Sequence, residues 1–242
     1  MGSEAKRKER RTMNVKEYMK NAEIVIPSQK MQFHCTRCGE CCRHVKESVP
    51  VDSLDIFRIT RYLQGRVKGV SHIDDILMRY VTPVLLHESG YFVFMLNVAG
   101  EDDACVFLKD NACMIHEAKP RACRTFPVEA GPDEHGTMEY MLYKKWTHHF
   151  KGPQITIKRW ADRYLSKTDR DFIMEDIQAA VQIVSLMKEM PEEQKERAKV
   201  WIMMYLYSNY NLNRSFMEQY RSNVKSLLHT LKRLQREQEN EK

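Results

Sequence analysis

Apolar residues recur at helical spacing over the second half of the chain. In NRSFMEQYRSNVKSLLHTLKRLQREQ, residues 213–238, Met217, Tyr220, Val224, Leu227, Leu231 and Leu234 alternate at three- and four-residue steps. That is a heptad seam three repeats long. RDFIMEDIQAAVQIVSLMKEM, residues 170–190, puts Phe172, Ile173, Ile177, Ala180, Val181 and Val184 on one helical face. PEEQKERAKVWIMMYLYSNY, residues 191–210, opens with proline in the first turn and acids beside it, a favourable helix entry. The pattern predicts a helical C-terminal region over 151–242. Its seam is read as packing back onto the chain's own helices, with a short homodimeric coiled coil as the other use of such a face.

The first half is mixed. VDSLDIFRITRYLQG (51–65) predicts a helix that Asp52 or Ser53 can cap and Gly65 ends. SHIDDILMRYV (71–81) predicts a second, with Ser71 and Asp74 as a variant capping box. YFVFMLNV (91–98) is aromatic and β-branched, a buried strand with GEDD (100–103) as its turn. Short β pieces are expected at CVFL (105–108), ACMI (112–115) and TMEYMLY (137–143). The fold class is therefore α+β: a basic, flexible segment over 1–30, a small domain of short strands and helices over 31–150, and the helical region after it.

Composition changes this picture little. The chain has 242 residues, 43% hydrophobic and 30% charged, enough for one good core. Its longest apolar-rich run, residues 91–99, is far too short to span a bilayer, so no membrane association is expected. The net charge is +6, and residues 1–20 supply +4 of it through seven Lys/Arg against three Glu. Such a tail is read as solvated, because no nucleic-acid-binding motif accompanies it. The opening MGSEAKRKERR has no apolar stretch behind it and is not read as a secretory signal. The expected compartment is the reducing cytoplasm, where an odd number of cysteines, seven, does not make a disulfide framework.

Cysteine placement carries the chemistry. All seven cysteines fall between positions 35 and 123, and four of them lie within FHCTRCGECCRH, residues 33–44. Cys35, Cys38, Cys41 and Cys42 open the constellation, and Cys105, Cys113 and Cys123 complete it. Thiolates are soft ligands that suit zinc, iron–sulfur clusters or copper(I). A lone zinc needs two knuckles, whereas a third cysteine at the same two-residue gap leans toward a [4Fe–4S] cluster. Neighbouring side chains usually diverge, so Cys41 and Cys42 are not expected to serve the same ion. Seven sulfurs divide as four and three, one closed site and one with an open position. His44, His116, His148 or His149 can supply a missing ligand. Arg37, Arg43, Lys46, Lys119, Arg121 and Arg124 lie among the cysteines and can offset the charge of an anionic centre.

The order F-x-C-x2-C-G-x-C-C, then C-x-F-L, C-x-I and P-x2-C-R-x-F-P, resembles the YkgJ-type cysteine-cluster family, also described as zinc- or iron-chelating. The residues that carry it are Phe33, Cys35, Cys38, Gly39, Cys41 and Cys42; Cys105, Phe107 and Leu108; Cys113 and Ile115; and Pro120, Cys123, Arg124, Phe126 and Pro127. The likeness covers about residues 33–130. Where relatives have I-Y-x2-R-P, this chain has Ile115, His116, Lys119 and Pro120. Many relatives also carry Cys-Pro-Gly after the block; the corresponding stretch here is HHFKGP, which lacks an eighth thiolate. One relative with this cluster, the flagellin lysine methylase, is associated with methyl transfer from S-adenosylmethionine to protein lysines.

Three functions follow. One is an iron–sulfur protein in electron transfer or cluster-assisted modification of another protein. The second is a structural zinc module whose helices recruit a protein partner. The third, implied by the resemblance alone, is protein-lysine methyl transfer with S-adenosylmethionine as cofactor, although no G-x-G-x-G loop follows a strand.

Overall fold

The computed structural model describes residues 21–133 and 135–240. Of the basic segment 1–30, residues 1–20 lie outside the described residues. Two strands, β1 (Ala22–Val25) and β2 (Lys30–Gln32), fall in or at the end of the remainder. The other strands are β3 (Pro50–Val51), β4 (Val81–Leu85), β5 (Phe92–Leu96), β6 (Val98–Ala99), β7 (Ala104–Cys105), β8 (Leu108–Lys109), β9 (Ala112–Cys113), β10 (Val128–Pro132), β11 (Met138–Tyr143) and β12 (Gln154–Thr156). The helices are α1 (Ser53–Leu63), α2 (Ile73–Arg79), α3 (Arg121–Thr125), α4 (Ile157–Tyr164), α5 (Lys167–Lys188), α6 (Glu192–Ile202) and α7 (Phe216–Asn240). The architecture is α+β, with the cysteine-rich part built from short elements and the helices gathered at the C-terminal end.

Every strand pairing among the described residues is antiparallel. β11 lies between β1 and β10, with Ala22 opposite Tyr143 and Val128 opposite Leu142. β5 lies between β3 and β4, with Val51 opposite Phe94 and Val81 opposite Leu96. β12 pairs β2, and two minimal ribbons, β6–β7 and β8–β9, carry Cys105 and Cys113.

α1 starts where Asp52 accepts the Asp55 amide at 2.8 Å, a side-chain N-cap. α2 starts one residue later than the sequence pattern suggests. Asp75, not Asp74, reaches back, accepting from the amides of His72 at 2.9 Å and Ser71 at 2.8 Å.

The apolar residues form two clusters, each of which draws on both sides of residue 150. The larger joins Ile56, Ile59, Ile76, Phe94, Phe107 and Ile115 to Phe172, Ile183, Met187, Leu227 and Leu231. The smaller joins Val25, Met31, Val128, Leu142, Ile157, Trp160 and Ile173. Within the heptad seam, Met217, Tyr220, Leu227, Leu231 and Leu234 are all buried inside the chain's own larger cluster.

The face of α5 is rotated from the one the apolar pattern suggests. Phe172, Ile173, Ala179, Ile183 and Met187 are buried, while Ile177 and Val181 remain 42% and 65% exposed. The inward row runs through Asp176, a position that a purely apolar pattern skips. Asp176 is satisfied there by the Tyr220 hydroxyl, which donates to its Oδ1 at 2.8 Å.

Burial first, and then the charge of Asp52, push the Asp176 carboxyl up to about 6. A raised carboxyl favours the folded state most when protonated. Its contribution is fully present below the unfolded value of 3.8 and is lost as pH rises through about 6. Asp176→Asn keeps the acceptor for Tyr220 and removes the charge. Urea unfolding should show the variant about 1–3 kcal/mol more stable than wild type at pH 8 and close to it at pH 4. An equal difference at both pH values would rule out this account.

Candidate metal centre

The loop that carries the first cysteines is wound by left-handed residues. Arg37 (φ 55°), Gly39 (φ 78°), His44 (φ 53°) and Glu47 (φ 52°) all lie in that region. Gly39 is the costly one to replace: its conformation is left-handed, and an added Cβ would sit 3.4 Å from Leu108 Cδ1. From Gly39 the chain enters a 3-10 turn, Glu40–Cys42, closed by the Cys42 amide donating to Gly39 O at 3.0 Å. This turn presents Cys41 and Cys42.

The other thiols arrive on separate short elements. Cys105 ends β7, opposite Val98, and Cys113 ends β9, opposite Leu108. Asp110 (φ 50°) and Asn111 (φ 58°) both adopt positive φ in the two-residue connection of β8 and β9, a type I′ geometry that matches strand twist. Cys123 lies on α3, whose first amide, Arg121 N, donates to both carboxylate oxygens of Asp55 at 2.9 Å. Asp55 is 2% exposed, and burial, followed by the Asp52 charge, raises its carboxyl well above the ordinary range.

Cys41, Cys105, Cys113 and Cys123 form one electrostatic group. At Cys41 the hydrogen bond with Cys42 acts first, followed by burial and the Cys42 charge, and all three raise the thiol. Burial leads at Cys105, Cys113 and Cys123, and the charges of other members of the group add to it at each. Lys119 opposes the rise at Cys41, Cys113 and Cys123. Four crowded, partly buried thiols become thiolates together only beside a compensating cation, so the donor set fits a thiophilic metal centre.

A second group is more compact. Sγ of Cys38 and Nε2 of His148 and His149 all lie within 4.8 Å of one another, the one such group of potential ligands found among the described residues. Cys38 Sγ is 3.5 Å from His149 Nε2 and 3.7 Å from His148 Nε2. Cys35 is exposed and outside both groups. Sequence spacing offered Cys35 and Cys38 as a knuckle and left the two histidines as candidate fillers beside His44 and His116. The HHFKGP stretch, which holds histidines near the place of an eighth thiolate, was the available signal. All seven thiols are free.

The basic residues among the cysteines divide by role. Arg43 pairs with Asp102 and donates to Asn111 at 2.8 Å; Arg121 pairs with Asp52 at 3.2 Å; Arg124 pairs with Asp169 at 2.7 Å. These three hold the scaffold together, whereas Lys119 acts on the thiols. Trp160 is a core anchor, 7% exposed, with Nε1 donating to Thr125 O at 2.7 Å just beyond Cys123. No helix among the described residues is long and apolar enough to cross a membrane.

A family model described as "CxxCxxCC: Putative zinc- or iron-chelating domain" matches residues 34–148. No curated protein and no solved structure matches the chain. The matched span begins beside Cys35 and ends on His148, so it contains every cysteine and the first of the paired histidines. Its donor set supports metal binding, and residues 34–148, just under half of the chain, are similar to the CxxCxxCC domain.

Proposed function

We propose that Cys41, Cys105, Cys113 and Cys123 hold a [4Fe–4S] cluster and that the protein works in electron transfer or cluster-assisted modification of a protein partner. The observation that carries this reading is the convergence of four thiols from four separate elements on one region beside Lys119. A third cysteine at the same two-residue gap in the opening loop leans toward a polynuclear cluster rather than a lone zinc. When bound, such a cluster supplies a one-electron redox couple. The chain's own part is to seat it among half-buried sulfurs, to place the Lys119 charge against it, and to limit water around it.

The free thiols fit a reducing, cytoplasmic setting. The exposed apolar side chains Ile177 and Val181 on α5, with Val200 and Met204 near the end of α6, offer area for a partner on the helical region. The test is anaerobic purification, a visible spectrum, and analysis of iron, sulfide and zinc. Matched iron and sulfide with broad charge-transfer absorption is the expected result. A colourless protein with zinc on four sulfurs would replace this reading with a structural zinc module. Calorimetry with S-adenosylmethionine on the same preparation tests methyl transfer, and tight binding would redirect the function there.

A further inference from the structure

We propose that Cys38, His148 and His149 form a second, mononuclear centre for one zinc-type divalent ion, with a fourth coordination position open to water beside Glu40. It does not depend on what fills the four-thiol group, with which it shares no residue.

The argument begins with His149, which is 2% exposed. Its Nδ1 lies 3.1 Å from the backbone oxygen of His34. A carbonyl oxygen only accepts, so Nδ1 carries a hydrogen there, and Nε2 is the nitrogen left to serve as a ligand. That Nε2 faces Cys38 Sγ at 3.5 Å. A ligating histidine is held in this way, with the far nitrogen tied to a backbone carbonyl and the near one left free. The hold is rigid. The His34 amide donates to His149 O at 2.8 Å, and Phe33 packs on the His149 ring at 5.6 Å and on Trp160 at 5.4 Å.

His148 brings a second Nε2 to the same sulfur at 3.7 Å, its ring centroid 4.0 Å from that of His149. The sulfur of Cys38 is thus approached by two imidazole nitrogens from adjacent residues, and all three potential ligand atoms lie within 4.8 Å of one another. Glu40 Oε2 does not take over His148, because 3.7 Å is too long for an N–H···O bond. Three potential ligand atoms of the types that bind zinc therefore converge on one point, one of them on a ring held in place from behind. Imidazole and thiolate together favour zinc, iron or copper, and three protein ligands with a free fourth position is the arrangement of reactive zinc sites. The side chains of His148 and Glu40 are 43% and 52% exposed, so that side is open to solvent. Thiolate, two neutral imidazoles and a divalent ion leave one positive charge, which Glu40 offsets.

The test uses the full chain, purified anaerobically and given one equivalent of zinc. Zinc-edge X-ray absorption should report one sulfur and two imidazoles. Cys38→Ser and His148→Ala should each lower zinc affinity, read by chelator competition, about 100-fold or more, with iron and sulfide unchanged. His148→Ala removes an exposed ring, so loss of fold does not confound it. A zinc shell of sulfur alone, no zinc retained at all, or affinity unmoved in both variants would overturn the proposal. Zinc on one sulfur and two imidazoles without iron or sulfide would support it and remove the cluster reading instead.

Discussion

Cys123→Ser is expected to lose the metal of the four-thiol group and to cost about 4 kcal/mol of stability, the linkage of a ligand held at roughly 1,000 times its dissociation constant. The size of the effect follows from how little else holds this segment. The ribbons β6–β7 and β8–β9 are two residues a side. Strand pairs this short are not stable alone. Phe107, Ile115 and Ala118 are the segment's buried apolar side chains, at 2%, 1% and 8% exposure. The free energy of metal binding is then spent largely as folding free energy for residues 98–125. Cys35→Ser is the control: Cys35 is exposed, and its replacement should leave metal content intact and change stability by less than about 0.5 kcal/mol. Metal content and thermal unfolding read on the same samples decide the matter. Full metal content in Cys123→Ser would show that the four-thiol assignment is wrong.

The elements most legible in the sequence were those set by local periodicity. Helix α1 and its Asp52 cap, the turn at 100–103, and the seam of α7 all follow from neighbours within a few residues. The cysteine signature was legible for the same reason, because its members are ordered and close. What was not legible depended on contacts across the chain. Asp176 lies on the inward row of α5 because Tyr220, 44 positions away, donates to it. Arg121 and Arg124 look like counter-charges to thiolates from their positions beside Cys123, yet Asp52, Asp55 and Asp169 engage them. Cys38 is three residues from Cys41 in sequence, but its near ligand atoms come from His148 and His149, 110 and 111 positions away. Spacing reports which side chains can share a loop; the fold decides which of them share an ion.

Asp169→Ala should be the most damaging substitution outside the cysteines, costing about 3–5 kcal/mol. Asp169 is 2% exposed and is the junction between α5 and the cysteine-rich part. Arg58 from α1 donates to it at 2.5 Å and Arg124 from α3 at 2.7 Å. It also closes a capping box with Ser166, whose amide donates to it at 2.9 Å. Removing the carboxylate leaves two partly buried guanidinium groups without their shared anion and uncaps a helix, losses that compound. Burial works to raise the Asp169 carboxyl, but the hydrogen bonds of Arg58 and Ser166 and the charges of Arg58 and Arg124 outweigh it, and the net shift is downward. A lowered carboxyl contributes stability that is present above the unfolded value of 3.8 and is lost as pH falls through the folded value. The gap between wild type and Asp169→Ala should therefore be constant from pH 5 to 8 and narrow below about pH 4. Asp171→Ala, which breaks only the solvent-facing pair with Lys167, should change stability by less than about 0.5 kcal/mol. Because Arg124 is the neighbour of Cys123, the Asp169 variant should also release the metal of the four-thiol group faster to a chelator. A variant that unfolds at the wild-type urea concentration at pH 7 would show that the junction does not hold the two parts together.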